Sequence, residues 1–424
     1  MKNKVLIITY YWPPAGGPGV QRWLKFVQYF KQNGIQPVLY IPENPNYPIH
    51  DFSLNNKIDP DLEIIRRPIF EFSSLFKKNK YINNIRRGNV PAPKNQSILN
   101  KILFFIRGNL VIPDMKIFWR KTSVHFLKNF LIKNNIKTII TTGPPHSLHL
   151  IGYDLKSMLD IKWIADFRDP WVNLNYLNRF HLLPNIKKTH QKLRDNVLKK
   201  ANAVVVTSDK LKTLFDLISK NNHTITNGYD YIYKEKQLDK FFSITHIGSI
   251  YPERNPKLLW DVLEKLCDDI KGFKDDLKLN FIGNVNNGFE KQMTLKSYSN
   301  CIIYYGYIEY ENTIDFLCKS QLLLMIESDE IESSFAIPGK FFDYINSRRP
   351  ILALGPIDSE ISKIINKTNT GHFSEYKDFD GLFNYVLGTY KNFKKETNYI
   401  VPVDIKKYSR VELTKEYAKL INTL

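Results

Sequence analysis

The chain has 424 residues, of which 43% are hydrophobic and 13% aromatic. This composition supplies packed cores and excludes disorder for most of the chain, and the length exceeds the size at which a single core stops growing. We therefore expect two domains. The formal charge of +19 suits phosphate-bearing substrates, an anionic membrane or a nucleic acid equally well, so charge alone does not separate these partners.

Cysteine is sparse. The three residues Cys267, Cys301 and Cys318 include no Cys-x-x-Cys pair. That pattern argues against a disulfide framework or a structural zinc site, and it fits a reducing compartment. The apolar run at the N-terminus is too short for a signal peptide, and no stretch reaches the roughly 20 apolar residues of a spanning helix. We therefore expect a cytoplasmic protein that does not cross the membrane.

Short apolar strands alternate with helical stretches through the first half of the chain. The first predicted helix begins at Val20 and carries one apolar stripe at helical spacing. Alternation of this kind indicates a parallel sheet covered by helices. The predicted strands are 5–9, 37–41, 138–142, 163–165 and 203–207.

The pattern changes to a turn and a charged stretch between residues 224 and 240, and a second series of strands and helices follows. The sequence predicts an α/β fold of the GT-B type, with two Rossmann-like parallel-sheet domains facing a cleft. The predicted domains are 1–225, 226–405 and an amphipathic helix at 406–424 that crosses back to the first domain. The predicted strands of the second series are 242–247, 278–282, 301–304, 322–326 and 350–354.

An insert at about 72–119 interrupts this rhythm and is too long for an ordinary loop. Its apolar stretch 98–106 follows a basic run, which resembles an interfacial membrane anchor. The alternative is that this helix packs on its own domain and that the basic side chains are simply solvated. The run consists of Lys77, Lys78, Lys80, Arg86, Arg87 and Lys94.

Glycines lie between the first strand and the first helix. Gly16, Gly17 and Gly19 occupy a position where backbone amides and the helix dipole favour an anion. Their spacing, with two prolines before them, is not that of a dinucleotide-binding motif. A tight turn is the alternative explanation.

Polar residues follow two later strands of the first half. His146 comes after the strand at 138–142, and Asp166, Arg168 and Asp169 come after the strand at 163–165. Because open α/β sheets bind ligands at the carboxyl ends of their strands, these loops are candidates for one site. Each residue taken singly is as readily explained by a structural hydrogen bond.

The second half carries a similar arrangement. Gly248 and Ser249 end a strand and Arg254 follows, which suits a diphosphate. Further on, Pro338 starts a helix whose first turn contains Lys340, and Asp343 lies one turn later, where it is a candidate acceptor for a ribose hydroxyl. The alternative is that Asp343 merely supports the start of that helix.

Five segments are informative when they are taken together: 10–14 with Gly16 and Gly17, 143–147, 166–171, 227–230 and 337–344. In combination they resemble the GT-B glycosyltransferases of the family 4 group, in particular the bacterial enzymes of surface-polysaccharide assembly. The resemblance runs from end to end. It implies a nucleotide donor held by the C-terminal domain, an acceptor held by the N-terminal domain, and retention of anomeric configuration.

The resemblance also implies roles for single residues. Gly16 and Gly17 approach the donor phosphates, Arg254 and Lys340 neutralise them, and His146 lies near the transferred sugar. We count Asp169 with these catalytic residues, and we expect Asp166 and Arg168 on the acceptor side. The donor-binding set is Gly16, Gly17, Gly248, Ser249, Glu332, Pro338 and Asp343.

One departure from the family pattern concerns its pair of glutamates, which are separated by seven residues. Asp343 replaces the second glutamate, and the nearest upstream acid, Glu332, stands eleven residues away instead of eight. The role of Glu332 is therefore open. Two rival functions follow: a GT-B-fold sugar-nucleotide epimerase, or a non-catalytic sugar- or lipid-binding relative.

No metal or other cofactor is expected. Fixed cations and backbone amides stabilise the charge that builds on a departing diphosphate without a metal. The Asp-x-Asp pairs at 59–61 and 378–380 have the spacing of a metal site in other transferases, but neither follows a convincing buried strand. The expected partners are a nucleotide-diphosphate sugar, a lipid-linked or saccharide acceptor and an anionic membrane surface, with no nucleic acid.

Overall fold

The structure is a computed structural model, and it describes residues 3–71, 98–172, 180 and 182–424. The chain divides into two compact units. The first unit consists of Met1–Thr226 together with Arg410–Leu424, and the second of Asn227–Ser409.

The first unit is built on a parallel sheet of seven strands, in the order β3-β2-β1-β4-β5-β6-β7. In chain order the strands are β1 (Asn3–Ile8), β2 (Ile35–Pro42), β3 (Glu63–Arg67), β4 (Thr138–Gly143), β5 (Lys162–Phe167), β6 (Ala203–Val206) and β7 (Asn222–Thr224). The order reverses between β1 and β4, and such sheets bind ligands in the crevice at this point, outside the carboxyl ends of the strands. The described helices are α1 (Pro18–Phe30), α2 (Ile98–Asn109), α3 (Trp119–Lys133), α4 (Ser147–Met158), α5 (Pro184–Lys200) and α6 (Asp209–Asp216).

The second unit repeats this plan with six parallel strands, in the order β10-β9-β8-β11-β12-β13. The strands are β8 (Phe242–Ile247), β9 (Leu277–Ile282), β10 (Ile302–Gly306), β11 (Leu322–Ile326), β12 (Ile351–Gly355) and β13 (Gly371–Glu375). Here the order reverses between β8 and β11. The helices are α7 (Lys257–Asp269), α8 (Phe273–Asp276), α9 (Asn287–Met293), α10 (Tyr310–Lys319), α11 (Gly339–Asn346), α12 (Glu360–Thr368) and α13 (Phe379–Lys394).

The last helix, α14 (Arg410–Thr423), returns to the first unit. Its Tyr417 is completely buried against α1, with ring centroids 5.7 Å from Trp23, 5.3 Å from Phe26 and 5.8 Å from Phe30. The apolar stripe predicted for the first helix is therefore the surface on which the end of the chain packs.

The apolar runs of the sequence account for most of both sheets. Strand β11 shows why: Leu322 and Leu324 belong to the apolar cluster on one face of the sheet, and Leu323 and Met325 to the cluster on the other. Because helices cover both faces of a parallel sheet, its strands read as continuous apolar runs. The predicted α/β fold with two Rossmann-like sheets is confirmed.

Three strands were not predicted: β3, β7 and β13. Each lies at the edge of its sheet, where one side has no neighbouring strand. An edge strand need not be apolar along its whole length, and the sequences Glu-Ile-Ile-Arg-Arg and Asn-His-Thr of β3 and β7 show no apolar run.

The basic run predicted in the insert lies outside the described residues. The helix that follows it, α2, packs on one side, because a Cβ at Gly108 would lie 2.8 Å from Phe180 Cβ. On another side Ile102, Phe105 and Ile106 are exposed. The helix therefore combines a packed contact with exposed apolar residues. Within the part of the chain that the structure describes, no helix is both long and apolar enough to cross a membrane.

Candidate functional site

Gly248 follows β8 at the point where the strand order of the second unit reverses. Its φ of 138° is positive, a conformation that side chains disfavour. A Cβ at this position would lie 2.4 Å from Lys340 Nζ. Its N–H donates to Ile282 O at 2.7 Å, so the turn is fixed from the neighbouring strand. The positive φ favours glycine here, and the absence of a side chain leaves the space that the Lys340 ammonium occupies.

Lys340 is the second residue of α11, and Pro338 is the residue that caps this helix. Its Nζ donates to Ile247 O at 2.6 Å. Burial, with a smaller contribution from the charge of Arg254, lowers the pKa of Lys340 to about 7, and the charge of Glu327 opposes the shift. The Lys340 ammonium thus lies against Gly248 at the end of β8 and within electrostatic reach of Arg254, an arrangement that fits a diphosphate. Ser249 is half-buried beside this turn.

His246 is a site residue that the sequence did not single out. Its Nδ1 lies 2.9 Å from Leu324 O, which can only accept, so Nδ1 carries the proton and Nε2 is an acceptor. Nε2 is buried and has no hydrogen-bond partner among the described residues. Burial, together with the charge of Lys340, lowers the pKa of His246 well below its usual value. A neutral acceptor is therefore held next to Lys340.

Asp343 lies one turn beyond Lys340 in α11 and is nearly buried. Its Oδ1 accepts from Tyr233 Oη at 2.7 Å and from Tyr310 Oη at 2.8 Å. Two phenols thus hold the carboxylate, and the ribose contact stays a prediction. Glu332 lies in the short 3-10 helix Ile331–Phe335 and is half-buried.

Glu327 follows β11 and was also missed. It is buried, its Oε2 accepts from Ser359 Oγ at 2.5 Å, and its charge reaches Lys340. A Cβ at Gly355 would lie 2.7 Å from the same oxygen, so glycine at the end of β12 makes room for the carboxylate. The available signal was an acid directly after a fully apolar strand.

In the first unit, the glycines of the loop after β1 have different positions. Gly16 N donates to Ile49 O at 3.0 Å, so this amide is already bonded within the protein. Gly17 has a φ of 105°, is exposed and caps α1. Pro18 has no N–H, and the amides of Val20 and Gln21 donate to Gly17 O at 3.2 and 3.5 Å. Of the two predicted phosphate contacts, Gly17 is therefore the better placed.

Arg168 joins the loops that follow β1, β4 and β5. Its Nε donates to Gly143 O at 3.2 Å and its Nη2 to Pro144 O at 2.5 Å. A Cβ at Gly19 would lie 1.8 Å from its Nη1, so this glycine is needed for the guanidinium to fit. Asp169 follows Arg168, and burial raises the pKa of Asp169 while the charge of Arg168 opposes the shift.

His146 lies in an aromatic stack above these loops. Its ring is 4.8 Å from that of Trp171 and nearly parallel to it, at 7°. Both ring nitrogens are buried without a partner among the described residues. Burial lowers the pKa of His146 well below its usual value, and the charges of His149 and Arg168 add to this effect. His146 is therefore neutral, and its place near the transferred sugar stays a prediction.

Asp166 does not reach the acceptor side as predicted. It is completely buried; its Oδ1 accepts from Arg22 Nη2 at 2.8 Å, and its Oδ2 accepts from Trp23 Nε1 at 3.1 Å and Thr142 Oγ1 at 2.8 Å. An oxygen with no exposed surface cannot touch an acceptor. We correct the prediction accordingly: the Asp166 carboxylate fastens α1 to the ends of β4 and β5.

The two Asp-x-Asp pairs have local structural contacts. Asp59 forms an ion pair with Lys31 and accepts a backbone bond from Asp61. Asp378 caps α13 by accepting from Gly381 N at 2.9 Å. The first carboxylate of each pair therefore has a local structural role: Asp59 stabilises a turn, and Asp378 caps a helix.

The chain matches no known protein-family profile and no curated protein sequence. It is similar to the structure of HepE from Anabaena in complex with UDP, at 11% identity and a TM-score of 0.65, covering 99% of this chain and 100% of that one. TarM of S. aureus matches at 13% identity and a TM-score of 0.64, covering 100% and 99%. The lipopolysaccharide outer core galactosyltransferase WaaB matches at 13% identity and a TM-score of 0.58, covering 99% of both chains. At these identities the shared property is the fold, which is GT-B.

Proposed function

We propose that this protein is a glycosyltransferase that moves a sugar from a nucleotide-diphosphate sugar to a hydroxyl group. The observation that carries the proposal is the cluster at the end of β8, where Lys340, from the first turn of α11, lies against Gly248 and within electrostatic reach of Arg254. The cluster lies where the strand order of the second unit reverses, which is the place where such sheets bind ligands.

The chemistry of transfer fits this cluster. The sugar passes through an oxocarbenium-like state while negative charge builds on the departing diphosphate. A fixed ammonium, a guanidinium and the first-turn amides of α11 stabilise that charge where it develops. In this proposal no metal takes part, because the protein supplies the compensating charge itself.

In the first unit, the proposal assigns the acceptor to the loops that Arg168 joins. In this proposal neutral His146 lies near the transferred sugar, Asp169 is counted with it as a catalytic residue, and Arg168 lies on the acceptor side. Gly17, at the start of α1, is kept as a proposed phosphate contact. Transfer proceeds with retention of anomeric configuration, as in the family that the sequence resembles.

The donor class is proposed from the structural relatives. HepE has been solved with UDP and with UDP-glucose, and TarM with UDP. We therefore propose a uridine diphosphate sugar as donor and, as acceptor, a lipid-linked or saccharide hydroxyl of a cell-surface polysaccharide. The reaction takes place in the cytoplasm, with the exposed apolar residues of α2 contributing to contact with an anionic membrane.

A thermal-shift screen across common nucleotide sugars tests the donor assignment. A ligand that binds only the folded protein stabilises it by about 2.7 kcal/mol at 100 times its dissociation constant. We expect one uridine diphosphate sugar to raise the Tm of the native protein and to raise that of Lys340→Ala much less. If no nucleotide sugar changes the Tm, or if the shift is the same in Lys340→Ala, the donor site is elsewhere or absent.

A further inference from the structure

A buried polar cluster lies at the end of β1, outside the site described above. Glu71 is only 3% exposed. Its Oε1 accepts from Tyr10 Oη at 2.5 Å and from Asn46 N at 3.2 Å, and its Oε2 forms an ion pair with Lys116 Nζ at 2.8 Å. The Lys116 ammonium also lies 4.3 Å from the centre of the Tyr10 ring. One carboxylate therefore joins three segments that are distant in the sequence.

The groups of this cluster match one another in charge and hydrogen bonding. Burial raises the pKa of Tyr10, and the charge of Glu71 raises it further. Tyr10 therefore stays protonated, and its hydroxyl donates the hydrogen bond to Glu71. The negative charge of Glu71 is paired with the positive charge of Lys116. Because desolvation offsets much of the attraction, a buried pair of this kind adds little net stability, but it fixes the geometry of the groups that it joins.

Two loops meet at Glu71: the β1 loop, residues 10–17, and the β2 loop, residues 43–51. Glu71 holds Tyr10 of the first loop and Asn46 of the second. The β1 loop is the segment that leads into α1 at the point where the strand order of the sheet reverses. Its shape decides where Gly17 and the start of α1 lie.

The two loops are also fastened to each other. Tyr47 Oη donates to Tyr10 O at 3.0 Å, and Gly16 N donates to Ile49 O at 3.0 Å. The side chains of Tyr10 and Tyr47 meet edge to face, with ring centroids 5.5 Å apart. The β2 loop thus supports the β1 loop along its length, and the carboxylate stands at the junction of both.

We propose that Glu71 is a positioning residue for the transfer reaction. It holds the β1 loop in the form that places Gly17 and the start of α1 for contact with substrate, and its pair with Lys116 anchors that loop to the segment before α3. The inference rests on the proposed function for its catalytic consequence. The structural part of the inference is that Glu71 keeps the β1 loop ordered. This part rests only on the contacts of Glu71 with Tyr10, Asn46 and Lys116.

Glu71→Gln tests the proposal, with Glu43→Gln as the matched control. Glu43 is an exposed glutamate of the β2 loop, so its substitution makes the same change in charge and atoms. We expect Glu71→Gln to lower kcat/KM for the donor by about 10-fold or more, because small displacements of binding groups are costly, and Glu43→Gln to leave it within about 2-fold. Equal effects of the two substitutions overturn the proposal.

A second variant separates positioning from stability. Glu71→Leu combined with Lys116→Met removes both buried charges together, a change that is often neutral for folding. We expect a Tm close to that of the native protein with kcat/KM still reduced by about 10-fold. Full activity in this double variant shows that the pair has no positioning role and overturns the proposal.

Hydrogen exchange of the β1-loop amides provides a readout that does not depend on activity. We expect faster exchange in residues 10–17 of Glu71→Gln than in the native protein or in Glu43→Gln, with the core of the sheet unchanged. If the native protein transfers no sugar, the proposed function fails while this measurement still tests the loop. Unchanged exchange in the β1 loop contradicts the inference.

Discussion

At the scale of single residues, the proposed donor site of the second unit depends on Lys340, whose pKa of about 7 lies near neutral pH. Lys340 is placed by three features of the chain: the helix start at Pro338, the carbonyl of Ile247 and the missing side chain of Gly248. The position holds an ammonium beside a backbone turn, where we propose that it binds an anion.

Lys340→Ala removes this cation without disturbing the core. We expect kcat to fall by on the order of 100-fold, because the ammonium acts most strongly as the diphosphate departs. Far-UV circular dichroism and the Tm check that the fold is intact, and Lys391→Ala, which truncates an exposed lysine of α13, is the control. Native turnover in Lys340→Ala would sink the phosphate assignment.

The pH dependence of activity follows from the same residue. Burial and the charge of Arg254 together lower the pKa of Lys340 to about 7, against the opposing charge of Glu327. Below that pH the free protein carries the ammonium, and above it the attraction for diphosphate is lost. We therefore expect kcat/KM for the donor to fall above about pH 7 and kcat to fall only at higher pH, since bound diphosphate raises the pKa.

Steady-state profiles between about pH 6 and 9 provide this measurement, with Lys340→Arg as the control. Arginine stays charged throughout this range, so its profile should lose the falling limb. The same falling limb in Lys340→Arg means that another group titrates.

The sequence predicts the position of a residue that a local pattern fixes, but not that of a residue whose contacts are distant in the chain. Pro338 and Gly339 are a local signal for the start of a helix. The prediction that Lys340 lies in the first turn of that helix is therefore confirmed. The buried position of Asp166 depends on Arg22, which is 144 positions away. Glu71 was missed because its partner Lys116 is equally unmarked by any local pattern.

At the scale of elements, the first unit is closed by the last helix of the chain. The aromatic residues of α1 and Tyr417 of α14 form one packed cluster. The amphipathic pattern of the last helix indicates one buried face, and we predicted that this helix crosses back to the first domain, where it lies. The apolar stripe of the first helix indicates a second buried face. Their pairing could not be read from either pattern, because periodicity identifies a buried face and not its partner.

Tyr417→Ala tests the importance of this contact. We expect the free energy of unfolding to fall by about 3 to 5 kcal/mol, as for other large buried aromatic side chains, because the substitution leaves a cavity between two helices. Urea unfolding measures the change. Tyr399→Ala, at a tyrosine that is 70% exposed, should cost less than about 1 kcal/mol. Equal losses in the two variants would contradict the proposed role of α14.

At the scale of the whole molecule, the charge of +19 and the exposed apolar residues of α2 bear on where the protein works. Each basic residue near an anionic bilayer adds on the order of 1 kcal/mol of attraction, which salt screens. We expect sedimentation with anionic vesicles, weak binding to neutral ones, and release at high salt.

Replacing Lys77, Lys78, Arg86 and Arg87 together by Gln should weaken vesicle binding without altering donor affinity. A matched control replaces four exposed lysines of the second unit, which should leave vesicle binding nearly unchanged. Equal binding of the native protein to neutral and anionic vesicles, or binding to neither, rules out an electrostatic anchor. The four control positions are Lys274, Lys291, Lys391 and Lys395.

The most direct test of the central claim is the release of nucleotide diphosphate from a uridine diphosphate sugar, measured with and without candidate acceptors and with and without a chelator. We expect release that requires an acceptor, matches the sugar incorporated, persists in chelator and is lost in Lys340→Ala. Release without an acceptor indicates an epimerase-type reaction, and dependence on added magnesium or manganese contradicts the metal-free mechanism. Binding without release under every condition contradicts the assignment as a glycosyltransferase.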